Sequence, residues 1–253
     1  MIEKNKFGII QGRLTISPRN LLQYFPQNNW KREFNIAHKI GLSSIEMFSE
    51  RKFNKKNPIW DERQLNTIIK LSKKNKINLS SFCDDYIINH KLQSSKNFKS
   101  IEEHFFRILK VLDHIKCKKL ILPFLEKSDF EYIYKNRDYN LIRNIAKELQ
   151  NRNITLCIES VSTAKKLLKF IEKTKMNNIK VVFDTGNRAN LSTNLYQEIL
   201  DLNNLIGHVH IKDKNNHQDN VLLGTGIVNF YKVFENLEKI KYKGTYVFET
   251  NRG

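Results

Sequence analysis

Four short apolar runs in the second half of the chain each carry one polar group suited to holding a metal ion. The run 156–158 ends in Glu159, and the run 181–183 ends in Asp184. His208-Val209-His210-Ile211-Lys212-Asp213 carries His210, and the run 246–248 ends in Glu249. Three carboxylates and one imidazole form a mostly oxygen donor set, which suits Mn²⁺, Mg²⁺ or Co²⁺ and argues against a structural zinc. Taken singly, each residue has an ordinary explanation. An acid at a strand end often caps the next helix or sits in a solvated turn, as Asp184 before Thr185-Gly186-Asn187 could. A histidine in an apolar run is often a satisfied core group. Four such coincidences on four successive runs favour one shared site. His208 falls two residues before His210, on the same strand face but one layer deeper, and reads as a supporting group rather than a ligand.

Positioning these groups together requires a repeating scaffold. Eight β-type runs recur along the chain: 7–10, 44–47, 77–82, 119–123, 155–159, 181–184, 207–211 and 245–249. Between them lie stretches with helical periodicity, such as Trp30, Phe34, Ala37 and Ile40, or Phe105, Ile108, Leu109 and Leu112. Strands alternating with helices imply βαβ units and a parallel sheet. Eight units in 253 residues is the length of a (β/α)8 TIM barrel, an α/β fold whose C-terminal strand ends form the catalytic mouth. An open doubly wound sheet is the competitor. It usually shows a glycine-rich turn after its first strand, whereas Gln11-Gly12-Arg13-Leu14 holds one glycine. With 4 prolines, 9 glycines and no Ser/Gly-rich stretch, no linker divides the chain, so 1–253 is read as a single barrel domain. The last run ends four residues before Gly253, so the final helix of the barrel is expected to be missing.

Composition narrows the function class. The chain is 40% hydrophobic and 28% charged, which argues against disorder. No run approaches the roughly 18 apolar residues of a membrane span. The formal net charge of +18 invites a nucleic-acid reading. The lysines scatter along the whole length instead of forming a block, which disfavours it. Cys83, Cys117 and Cys157 lack metal-binding or disulfide spacing. Met1 to Lys6 hold no apolar stretch, so no signal peptide is expected and the cytoplasm is the default location.

At the site residues the chain resembles the xylose isomerase-like barrel superfamily, specifically its sugar phosphate isomerase/epimerase group. The resemblance is carried by Ile158-Glu159, Phe183-Asp184-Thr185-Gly186-Asn187, Val209-His210-Ile211-Lys212-Asp213, the Gly224-Thr225-Gly226 turn and Val247-Phe248-Glu249. The opening Gly8-Ile9-Ile10-Gln11-Gly12-Arg13-Leu14 and the Ile45-Glu46 pair add to it. It covers nearly the whole chain in order, and is specific for fold and metal site but not for substrate. It implies one divalent metal held by Glu159, Asp184, His210 and Glu249, and a carbohydrate substrate. Relatives are often oligomeric, so a homo-oligomer is expected in which a partner covers the gap left by the last helix. It also implies that Glu159 and Glu249 straddle the substrate as an acid/base pair. The chain departs from the ketose epimerases where they carry a histidine three residues after the aspartate. Asn187 stands there and can hydrogen-bond a hydroxyl but carries no charge.

The chemistry this set suits is proton abstraction next to a carbonyl, with a metal acting as Lewis acid towards an enediolate. Return of the proton to the opposite face is epimerisation, and return to the adjacent carbon is isomerisation. Cationic residues near strand ends could hold a phosphate or sugar carboxylate: Arg13, Arg188, Lys212 and Arg252. Glu46 is expected at the mouth, contacting a sugar hydroxyl or pairing with Arg13. Asp84 and Asp85 are further candidates. Two rival enzymes use related sites. A keto-polyol dehydratase would employ the same ligands. An endonuclease IV-like phosphodiesterase needs more histidines at strand ends than the 7 in the chain provide. A non-catalytic barrel is the remaining alternative.

Overall fold

The computed structural model describes residues 6–17, 24–90, 98–136, 139–189 and 194–250. Eight parallel strands close into a barrel. They are β1 (Phe7–Ile10), β2 (Ser44–Ser49), β3 (Ser81–Asp84), β4 (Lys119–Pro123), β5 (Thr155–Glu159), β6 (Ile179–Asp184), β7 (Ile206–Ile211) and β10 (Tyr246–Phe248). A short antiparallel ribbon, β8 (Asp213–Lys214) with β9 (Asn220–Val221), stands on the mouth after β7. The (β/α)8 expectation is thus met. The segment following β10 lies outside the described residues beyond Thr250.

The connecting helices are α1 (Trp30–Lys39), α2 (Glu62–Asn75), α3 (Tyr86–Asn89), α4 (Phe98–His114), α5 (Phe130–Lys135), α6 (Tyr139–Gln150), α7 (Ala164–Thr174), α8 (Thr185–Ala189), α9 (Leu195–Leu202) and α10 (Phe230–Lys239). Their starts are set by side-chain caps: Asp61 accepts from Gln64 N, Thr163 from Lys166 N, Asn194 from Gln197 N and Asn229 from Lys232 N. Phe34, Ile68, Ile108, Leu112, Leu149, Leu167, Phe170, Ile199, Val233 and Leu237 turn inward and are fully buried against the strands. Ile40, placed on the apolar face by periodicity, is instead exposed, because it is the residue at which α1 stops.

Two strand boundaries move in a way that matters for function. The run 77–82 becomes a strand only from Ser81. Lys76 ends α2 in the left-handed region at φ 55°, and the next residues form a connection with a single bridge, Asn78 to Ser44. In contrast, β2 runs two residues past Met47 to Ser49, which leaves Glu46 in mid-strand.

The register places inward-facing side chains in layers. Ile10 pairs with Glu46, Asp184 with His210, Val182 with both Glu159 and His208, and Val247 with His210. Since side chains alternate along a strand, Glu46 and His208 sit one layer below the rim formed by Glu159, Asp184, His210 and Glu249.

The loop after β7 is held by one buried carboxylate. Asp213 accepts the N–H groups of Lys214, Gly224, Gly226 and Val228 at 2.9–3.2 Å. A side chain at Gly226 would run into that carboxylate, which explains the glycine in Gly224-Thr225-Gly226. Asp213→Ala is therefore expected to lower the unfolding free energy by about 2–4 kcal/mol, because several donors lose a charged acceptor. Urea denaturation followed by circular dichroism measures this, and a loss below about 0.5 kcal/mol, the usual scale of a surface substitution, contradicts it.

Candidate metal centre

Glu159, Asp184 and His210 end or nearly end β5, β6 and β7, and Glu249 directly follows β10. One ligand atom from each of the four lies within 4.8 Å of every other. All four are buried, at 0–6% exposure. His210 Nδ1 is 3.2 Å from Glu249 Oε2 and 4.0 Å from Glu159 Oε2. The residues expected to converge do so.

Each is oriented by a neighbour. His210 turns its other nitrogen, Nε2, to Glu46 Oε1 at 2.9 Å. A carboxylate behind a histidine fixes the tautomer and leaves the opposite nitrogen for the site, as it does in metal proteins generally. Glu46 Oε2 lies 2.8 Å from His208 Nε2, so one fully buried carboxylate serves two imidazoles. Glu46 therefore does not line the mouth beside a sugar or Arg13. The reason is the longer β2, which sets it one layer down. Burial opposes ionisation of Glu46, but the two histidines outweigh it and hold its carboxyl below the usual range. Burial likewise opposes charge on His210, yet Glu46 and Glu249 at its two nitrogens raise its proton affinity well above normal. His208 goes the other way, to about 4, because burial prevails over Glu46.

The Asp184-Thr185-Gly186-Asn187 stretch is tied to the Lys212 segment and to Glu159. Asn187 N–H donates to Asp184 Oδ1 at 2.7 Å, and its side-chain amide donates to Glu159 Oε1 at 3.0 Å. Thr185 Oγ1 donates to the Lys212 carbonyl at 2.6 Å and accepts the Lys212 N–H at 2.9 Å. Gly186 leaves room for the Lys212 stem, whose Cγ would lie 2.9 Å from a Cβ built there. The Lys212 ammonium reaches Asp184 Oδ2 and Glu249 Oε2, each at 3.0 Å. Arg13 approaches the other oxygen of Glu249 at 3.8 Å. Its loop is pinned by Glu33 of α1, which accepts from Gly12 N, Leu14 N and Thr15 Oγ1.

Of the other cations expected to face substrate, Arg188 is buried. It donates to the carbonyls of Ser160 and Ser162 and pairs with Glu198 at 2.7 Å, so it holds the β5–α7 connection together instead. Arg252 lies outside the described residues. Asp84 turns away to Ser49 and to His104, whose Nε2 is 2.9 Å from it. Asp85 faces the mouth. A cleft of about 240 Å³ opens there, lined by Asp85, Glu159, Asn187, Lys212, Glu249 and, from outside the expected set, Arg51, Lys214 and Asn220. Lys214 follows Lys212 with the strand period of two, and that alternation is the signal that points to it.

The carboxylates at the mouth differ in proton affinity. Burial, then the neighbouring Glu249, push Glu159 up to about 8. Glu249 is equally buried, yet Lys212, His210 and Arg13 pull it well below the ordinary range. Burial and Glu249 raise Asp85 to about 7. The three thiols are buried, and burial raises each above its ordinary value, so they act as packing groups.

Among the described residues, side chains able to hold a metal gather in two groups that share His210: the rim set and Glu46-His208-His210. In the second, which lies below the first, Glu46 sits between the two imidazoles, hydrogen-bonded to His210 and 2.8 Å from His208. His38, His90, His104, His114 and His217 belong to neither group.

The family model for xylose isomerase-like TIM barrels matches residues 34–253. A 3-dehydro-D-guloside 4-epimerase of Escherichia coli is 28% identical over 89 residues, 35% of this chain and 32% of that one. A ketose 3-epimerase of Arthrobacter globiformis is 29% identical over 107 residues, 42% of this chain and 35% of that one. The matches thus span about a third of the length of these curated relatives. Among solved structures, the IOLI protein with a zinc atom superposes with TM-score 0.77 at 14% identity, covering 98% of this chain and 89% of that one.

The buried Asp85 gives a stability signature of its own. With its pKa at about 7 in the fold, the unfolded chain releases the proton near pH 4 while the folded chain keeps it. Stability therefore falls as pH rises between these values, and the full loss persists above them. Asp85→Asn is expected to raise the unfolding free energy by roughly 2–4 kcal/mol at pH 8 and to leave it nearly unchanged at pH 4. Denaturation at the two pH values tests this, and an equal effect at both refutes it.

Proposed function

The chain belongs to the xylose isomerase-like TIM barrel family, and we propose that it is a divalent-metal-dependent sugar isomerase or epimerase. The observation that carries the reading is the convergence of Glu159, Asp184, His210 and Glu249, one from each of four successive barrel strands, beside an open cleft. The donor set suits a cation such as Mn²⁺, Mg²⁺ or Co²⁺. Similarity to two sugar epimerases, and the zinc atom in the IOLI structure, support the same reading. The cleft, at about 240 Å³, is smaller than the roughly 300–1,000 Å³ of drug-sized ligand sites and suits a monosaccharide or its phosphate or acid.

The cation supplies the positive charge that makes a C–H beside a carbonyl acidic enough for a carboxylate to remove. The protein groups do the rest. Glu159 and Glu249 accept and return the proton. They stand at rim positions separated by β6 and β7, and both line the cleft that a sugar would enter. Asn187, whose amide donates to Glu159 Oε1 at 3.0 Å, fixes that carboxylate and offers its carbonyl to a sugar hydroxyl. Glu46 keeps His210 turned so that Nδ1 faces the other three ligands. Before the cation arrives, Lys212 and Arg13 hold Glu249 in its anionic form. Ile10, Phe48, Ile121 and Val182 are buried apolar residues of the surrounding strands.

Incubation with Mn²⁺ in D₂O with a panel of ketoses, sugar phosphates and sugar acids tests the proposal. Deuterium is expected at one carbon next to the carbonyl of at least one compound. Exchange should fall about 10³-fold in Glu159→Gln and in Glu249→Gln, the scale of losing a general acid or base. No exchange into any keto sugar by the metal-loaded protein refutes it.

A further inference from the structure

Three buried carboxylates within 4.8 Å of one another repel unless positive charge lies between them. Lys212 provides it. Its ammonium touches Asp184 Oδ2 and Glu249 Oε2 at 3.0 Å each, and the side chain is 5% exposed. These are the two oxygens a cation would need. Asp184 Oδ1 is already taken by Asn187 N–H, and Glu249 Oε2 is the oxygen that lies 3.2 Å from His210 Nδ1. The placement is built in. Thr185 Oγ1 clamps the Lys212 backbone on both sides, and Gly186 clears the space its stem occupies. Only the outer part of the side chain is free to swing, and Lys212 already borders the open cleft, as does Lys214 two residues on.

We propose that Lys212 is the built-in counter-ion of the metal-free centre and that an arriving divalent cation displaces its ammonium from Asp184 and Glu249 into the cleft. The inference rests on the metal reading above and adds the regulation of that site. Two cations sharing the same pair of oxygens in a buried setting repel strongly, so ammonium and metal exclude each other. Metal uptake is then an exchange of one cation for another. The metal-free chain never buries three uncompensated carboxylates, and only an ion that binds more tightly than an ammonium held at 3.0 Å enters. Once displaced, the ammonium stands beside Lys214 facing the substrate space, where an anionic or strongly polarised oxygen is its natural partner.

The test uses the full chain stripped of metal with a chelator and titrated with Mn²⁺ by calorimetry. The wild type is expected to bind one Mn²⁺ per chain, and both Lys212→Met and Lys212→Gln to bind it about tenfold or more tightly, because the competing buried ion pair is gone. Two substitutions guard against misfolding of either. A second readout needs no substitution: acylation of the wild type by a small amine reagent, followed by peptide mass spectrometry. Lys212 is expected to be protected without metal and labelled with Mn²⁺ bound. Unchanged or weaker Mn²⁺ affinity in both variants, or continued protection of Lys212 in the Mn²⁺-loaded wild type, overturns the displacement while leaving the metal centre intact. A wild type that binds no Mn²⁺ overturns the metal reading itself, and is told apart by the first titration alone.

Discussion

Confining three carboxylates to one buried spot is the constraint that organises this molecule. At separations below 5 Å and in a medium less polarisable than water, their mutual repulsion far exceeds anything hydrophobic contact could offset locally. The protein answers with positive charge placed on every open side of the cluster: Lys212 between Asp184 and Glu249, Arg13 against Glu249, and His210 in the midst of all three. The same repulsion separates the carboxylates chemically. Glu249 has the cations and stays ionised, while Glu159 has fewer and holds its proton more tightly. Two acids of one type thus acquire different proton affinities from position alone, a division of labour on which acid–base catalysis depends.

The surrounding structure can be understood as the means of holding those charges still. A β-strand presents alternate residues to the barrel interior, so a polar group at a strand end is carried to the rim and one two residues earlier lies beneath it. Glu46 and His208 use that lower layer. They form a polar base under His210 where a barrel would ordinarily stack branched apolar side chains. Glu46 is the group that ties this layer together, with one oxygen hydrogen-bonded to His210 and the other 2.8 Å from His208 Nε2. Above it, the β6 and β7 ends are sewn together by Thr185 and Gly186 on one side and Lys212 on the other, while Asn187 ties Asp184 to Glu159 of β5 and Asp213 gathers the loop beyond. Neighbouring residues of two short motifs therefore do separate physical work: a rim carboxylate, a backbone clamp, a space, a hydrogen-bond donor and a loop anchor.

What could be read from the amino-acid order follows from the same periodicity. Strand ends are marked by the change from apolar to polar, so Glu159, Asp184, His210 and Glu249 were visible as a set, and the barrel with them. Glu46 was misjudged because its apolar run looked finished at Met47, whereas Phe48 and Ser49 extend the strand and sink the glutamate by one layer. Arg188 is illegible for a different reason. It lies within the short helix α8, and nothing in its neighbourhood announces that Ser160, Ser162 and Glu198 arrive from other elements to bury it. Arg51 and Lys214 lay among many other basic residues. Only the fold distinguishes a lysine lining a cleft from one on a solvated helix.

That distinction also bears on the formal charge of +18. At physiological salt the field of a scattered surface lysine decays over about 8 Å, so most of these charges act on solvent and not on the site. Lys214 behaves differently. It is partly withdrawn from water, and that burial, with Lys212 nearby, lowers its proton affinity. A cation made less comfortable by its surroundings gains more from an approaching anion than a fully hydrated one does, because part of its desolvation has already been met in folding. The positive charge that the cleft presents therefore comes from the cations that line it, Arg51, Lys212 and Lys214, more than from the general basicity of the chain.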